Sequence, residues 1–239
     1  MRTRMACPRD IVTAVRSALL ALAFFVLPAC ALNGCGGGGS GGGSAPTGST
    51  GVRVLHASVD SVPLDVISSS SSSVVVSQAF FALPVPYGSL RQGAQTLSLT
   101  KALNSSAIVD SFPITYVPGE RYSILLYGNH QAIGIHSALV KDDVPVDSVG
   151  SYIRVVNGAA GSSTLSVSIT GAEYPDVSFG TAGDYVSVPA GSVTVTSRRP
   201  DDGLVAASNT ISVEAGTSYT ILVAGELGLY TKGTLFVDN

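Results

Sequence analysis

The feature that most constrains this chain is an internal duplication at nearly constant offset. "VRVLHASVDSVPLDV" (52–66) lies over "IRVVNGAAGSSTLSV" (153–167) without a gap, matching Arg53 to Arg154, Leu64 to Leu165 and Val66 to Val167. Further on, Phe81 and Tyr87 lie over Phe179 and Tyr185, and "SFPITYVPGERYSILLYG" (111–128) lies over "SNTISVEAGTSYTILVAG" (208–225). A period near 100 residues is too long for a solenoid unit and suits a small β-sandwich.

The local pattern agrees. "TLSVSI" (164–169), "VTVTS" (193–197) and "TLSLT" (96–100) alternate apolar and hydroxyl residues. Side chains alternate across a strand, so these runs put one face inward and one outward. No sustained 3.6-residue period follows the N-terminal segment. In the second repeat the strand-like runs are 152–157, 164–170, 175–179, 184–188, 192–198, 204–213, 218–224 and 233–237. The serine tract Ser68 to Ser73 reads as a hairpin loop. The expected fold is all-β: two tandem antiparallel β-sandwich, immunoglobulin-like domains, at 51–147 and 148–239. The alternative is one larger sandwich in which the repeats pair edge to edge.

The opening motif 52–66, the "YVSVPAGSVTV" run (185–195) and "EAGTSYTILVAG" (214–225) resemble the bacterial domain of unknown function 4397 family. The resemblance covers both repeats, residues 51–239. The repeats depart from one another at His56-Ala57 against Asn157-Gly158, and at Arg91-Gln92-Gly93 against Pro189-Ala190-Gly191. The resemblance implies secreted or envelope-anchored sandwich modules, often in tandem, and brings no activity with it.

Residues 1–34 read as a signal peptide. Arg2, Arg4, Arg9 and Arg16 precede the apolar "ALLALAFFVL" (18–27), a run too short to span a bilayer. Leu32-Asn33-Gly34-Cys35 resembles a bacterial lipobox, with Leu27-Pro28-Ala29-Cys30 as competitor. That resemblance makes Cys35 the lipidated residue, Cys30 being the alternative, and the Gly/Ser-rich stretch 35–50 a tether. The expected location is the cell envelope, on the outer membrane through the N-terminal lipid, facing the periplasm or the exterior.

From Cys35 onward the chain keeps nine basic and fifteen acidic residues, a formal net charge near −6, with no basic stripe. Nucleic acid, which needs clustered Lys and Arg opposite phosphates, is not an expected partner. No nucleophile elbow, P-loop or dinucleotide fingerprint occurs, and no cofactor is implied. His56, Ser58 and Asp60 could share a strand face and, with Asp65, form the candidate ligand site. Their counterparts Asn157, Ala159, Gly161 and Ser166 show that the fold does not require them. His130 and His136 lack the converging ligands a metal wants. "KDDVPVD" (141–147) gathers three Asp and reads as a solvated linker rather than a calcium site. The expected function is a non-catalytic binding or structural role with a protein or glycan partner in the envelope. The competing expectation is a hydrolase using His56 and Asp60.

Overall fold

The computed structural model describes residues 50–129, 133–147, 149–161 and 163–239. All regular structure there is strand. The first repeat supplies β1 (Gly51–His56), β2 (Leu64–Ser68), β3 (Ser73–Ala79), β4 (Gly93–Lys101), β5 (Asn104–Tyr116), β6 (Arg121–Asn129) and β7 (Gly134–Lys141). The second supplies β8 (Ser151–Asn157), β9 (Thr164–Ile169), β10 (Ala172–Ser178), β11 (Thr181–Ala182), β12 (Val186–Val188), β13 (Gly191–Arg198), β14 (Val205–Val213), β15 (Ser218–Glu226) and β16 (Tyr230–Val237). Each expected run of the second repeat meets a strand. The two-residue β11 is additional, and Ser69 to Ser72 do turn between β2 and β3.

Each repeat closes two sheets over a core of its own. In the first, β1-β6-β7 faces β3-β2-β4-β5, and Val52, Val54, Leu64, Leu97, Leu99 and Ile124 fill the space between. In the second, β11-β8-β15-β16 faces β10-β9-β13-β14 over Ile153, Val155, Leu165, Val193 and Ile221. The outermost sheets explain the alternating runs. Along β13, Val193 and Val195 point inward while the outward Thr194 shares a 2.9 Å hydrogen bond with Thr210 across the β13–β14 ladder.

The other two sheets break the alternation. All six residues of β1 are buried, as are six of the seven in β8. Val52 and Val54 belong to the first core, whereas Leu55 joins Leu125, Val156, Leu222 and Phe236 in a third cluster drawn from both repeats. The repeats therefore meet through the backs of these two sheets, face to face rather than edge to edge. In each repeat the opening strand pairs parallel, β1 with β6 and β8 with β15, and the remaining ladders are antiparallel. A strand covered on both faces reads as a near-continuous apolar run, as "VRVL" and "IRVV" do. The repeats pack closely at Gly158, where an added Cβ would fall 2.2 Å from that of Ala57.

Candidate functional site

Strand alternation that sends Val52 and Val54 into the first core turns Arg53 toward the second repeat, and Arg154 toward the first. Both guanidinium groups are buried. Arg53 Nε donates to Ser123 Oγ at 2.9 Å and Arg154 Nε to Thr220 Oγ1 at 2.9 Å, each on the neighbouring strand β6 or β15. Each lies over a tyrosine of its own repeat, Arg53 4.5 Å from the Tyr87 ring centroid and Arg154 4.7 Å from that of Tyr185. Tyr87 donates to Asp142 and Tyr185 to Asp238, both at 2.8 Å. Ser123 and Thr220 donate to the same two carboxylates at 2.6 and 2.7 Å.

The ion pairs then cross. Arg154 binds Asp142 of the first repeat, and Arg53 Nη2 lies 2.7 Å from Asp238 Oδ1 of the second. No N–H is aimed along that second contact, so its attraction is coulombic. A longer approach of 3.8 Å joins Arg53 to Asp142. Two cations and two carboxylates thus form a neutral quartet with near two-fold symmetry. Its side chains are at most 3% exposed. Burial pushes the Asp142 carboxyl up, but Arg154, Arg53 and the Ser123 hydroxyl outweigh it and hold Asp142 below its ordinary value. Burial pulls the Arg53 guanidinium down, yet Asp238 and its other neighbours keep it above its ordinary value and fully charged. The tyrosine hydroxyls are raised, chiefly by burial, and stay protonated as donors.

The residues singled out from the sequence serve the fold. His56 is 1% exposed, and its Nε2 donates to the Val62 carbonyl at 3.2 Å. Its ring meets Phe81 edge-on at 6.2 Å, and burial lowers its pKa. A ring so enclosed is not placed as a solvent-facing base. Ser58 Oγ donates to Asp60 at 3.2 Å across their turn. Asp65 accepts the backbone N–H groups of Gln78 at 2.7 Å and Leu103 at 3.0 Å. Both residues have left-handed backbones, φ 50° and 62°, so this carboxylate pins a strained point of β3 and the strained turn between β4 and β5.

Among the described residues no group of three or more His, Cys, Asp or Glu is placed to hold a metal. His136 stacks on Tyr127, its Nε2 donating to the Ile133 carbonyl at 2.9 Å. His130, Cys30 and Cys35 lie outside the described residues. "KDDVPVD" is not uniformly a solvated linker. Asp142 enters the quartet, whereas Asp143 stays exposed near Lys141 and Asp147 accepts Val149 N at 2.9 Å. The signal for the quartet was present in the sequence: the same arginine inside an apolar strand in both repeats.

The repeats differ at one edge. In the first, Gly88 packs so tightly on β3 that an added Cβ would lie 1.9 Å from the Val75 carbonyl oxygen. In the second, an apolar cleft of about 390 Å³ opens between β10 and β12, lined by Ile169, Tyr174, Val186 and Val188.

Comparison with curated proteins finds no match. A crystal structure of CBMbc (family CBM26) from Eubacterium rectale Amy13K in complex with maltoheptaose is similar at 13% identity and TM-score 0.23. That likeness covers 78% of this chain and 95% of that one, and at such a score it carries no argument about ligand. The family model described as Domain of unknown function (DUF4397) matches residues 50–168 and again 151–239. With both repeats matched, the chain belongs to the DUF4397 family.

Proposed function

We propose that this chain is a non-catalytic module of the bacterial cell envelope, anchored by lipid at Cys35 and acting through binding or as structure. The observation that supports it most is the use made of the chain's reactive side chains. His56, Asp65, Arg53, Arg154, Asp142 and Asp238 are buried, and each holds backbone or side chains of this fold in place. What faces solvent is two hydroxyl-rich outer sheets and the loops at the strand ends, the usual binding surface of a sandwich. A protein partner is favoured over a glycan, because the chain has no Trp to stack on a sugar ring.

The test is a binding screen of the fragment from Thr50 onward against solubilised envelope proteins and envelope glycans. Saturable binding to an envelope protein supports the reading. Absence of binding to either class leaves a structural role, and turnover of a glycan or ester substrate would overturn it.

A further inference from the structure

We infer that the quartet of Arg53, Asp142, Arg154 and Asp238 selects one orientation of the two repeats, while the apolar cluster around it supplies their adhesion. The cluster of Leu55, Leu125, Val156, Leu222, Ala224 and Phe236 is aliphatic apart from the Phe236 ring, with Phe81 and Tyr127 packed against it. Face-to-face sheets of this kind have no strong directional preference. Sliding one sheet past the other by two residues, about 6.6 Å, returns the same faces to contact. The apolar contacts re-form on such a slip, and the uncharged contacts that also fix register, Gly225 N to the Ala57 carbonyl at 3.0 Å and Thr234 Oγ1 to the Ala82 carbonyl at 3.1 Å, leave no charge behind when they break.

The charges do not accept it. Each arginine reaches across to the aspartate of the opposite repeat, and each aspartate is held by the tyrosine and the hydroxyl of its own. A slip or rotation keeps the local tyrosine and hydroxyl contacts but separates both crossed pairs. Arg154 and Asp238 would then be left unpaired where no water reaches, and Arg53 would keep only its 3.8 Å approach to Asp142. Removing charges from water offsets most of the attraction between correctly paired ions, so a buried pair adds little net stability. An unpaired buried ion is costly, so the quartet penalises every arrangement except the one in which it closes. Because the exchange is reciprocal, one misplacement breaks both pairs together.

The test uses the full chain with Cys7, Cys30 and Cys35 replaced by Ser and spin labels on cysteines at Ser73 and Thr194, both exposed. One variant makes the lock apolar without stranding hydroxyls: Arg53→Met, Arg154→Met, Asp142→Leu, Asp238→Leu, Tyr87→Phe, Tyr185→Phe, Ser123→Ala and Thr220→Val. A second carries Arg53→Met alone. The inference predicts one narrow inter-label distance in the parent and a broad or multiple distribution in the apolar variant. It also predicts that the apolar variant melts within about 5 °C of the parent, and that Arg53→Met alone melts at least about 10 °C lower. An apolar variant with the parent's single narrow distance would show that packing alone sets the orientation and overturn the inference. So would an apolar variant that melts far lower or fails to fold, because the charges would then supply adhesion. An Arg53→Met variant that melts with the parent would overturn it as well.

Discussion

His56 and Asn157 occupy the same position in their repeats and make the same kind of bond. His56 Nε2 donates to the Val62 carbonyl at 3.2 Å, and Asn157 Nδ2 donates to the Val177 carbonyl at 3.0 Å. Both tie the end of the opening strand to the chain that follows it. An imidazole and an amide are exchangeable there because only one N–H is used.

His56→Asn is therefore expected to fold with a loss of no more than about 1 kcal/mol. Its pH dependence should change more than its stability. Burial depresses the His56 pKa below 6.5 in the folded state. The unfolded chain then takes up the proton first, so the parent loses stability as pH falls through about 6.5 and toward the folded value. Denaturation midpoints between pH 7.5 and 5 should fall less steeply for His56→Asn than for the parent. Parallel curves would show that the ring is not buried neutral.

Asp142→Ala leaves Arg154 buried without its carboxylate and should cost about 3–5 kcal/mol. Asp143→Ala, one residue on and exposed, should leave the midpoint unchanged. The Asp142 pKa is depressed below 3.8, so its contribution is full above that value and is lost as pH falls through the folded pKa. Equilibrium unfolding of the two variants side by side checks the contrast.

Asp65→Ala should destabilise by about 1–3 kcal/mol, because the backbone N–H groups of Gln78 and Leu103 lose their acceptor where the chain is already strained. Asp65→Asn keeps one carbonyl oxygen and presents an NH₂ group to the second N–H, so it should fall between Ala and the parent. Adding Leu103→Gly to Asp65→Ala should recover part of the loss, since glycine adopts φ near 62° without steric cost. Denaturant titration of these variants tests the ordering.

Cys35→Ser should release the protein from the membrane or leave it misprocessed, whereas Cys30→Ser should leave it acylated. Intact-mass measurement of detergent-extracted protein decides this directly. An acylated terminus at Cys30, or no acyl mass at all, would remove the assignment.

The outer strands were the most legible part of the sequence. In β9 and β13 every second residue is apolar, because one face meets a core and the other meets water. In β1 and β8 the apolar run is readable, but the second buried face is not, since a run covered on both sides looks the same whatever covers it. Arg53 matched Arg154 in the repeat, yet its partner Asp238 lies at the far end of the chain, and no local pattern connects them. Asp142 was misread because its neighbours in "KDDVPVD" are polar, and burial is a property of the opposing sheet rather than of the neighbours. Asp65 was read as a candidate ligand-site residue from its place in a polar cluster, and its bonds to the N–H groups of Gln78 and Leu103 come from distant parts of the chain that no local pattern connects to it.

Asp238 is the carboxylate that closes on Arg53, and it follows β16, the whole of the second repeat lying between the two. The first repeat can close its own core before the second is made, but not the face that it turns toward the second. Its Arg53 and the apolar patch of Leu55 and Leu125 stay open until β16 has been made and delivered. Completion is registered at the interface. A chain cut short before β16 leaves two guanidinium groups facing the single carboxylate of Asp142 beside apolar surface that Phe236 no longer covers, a species prone to associate through that surface.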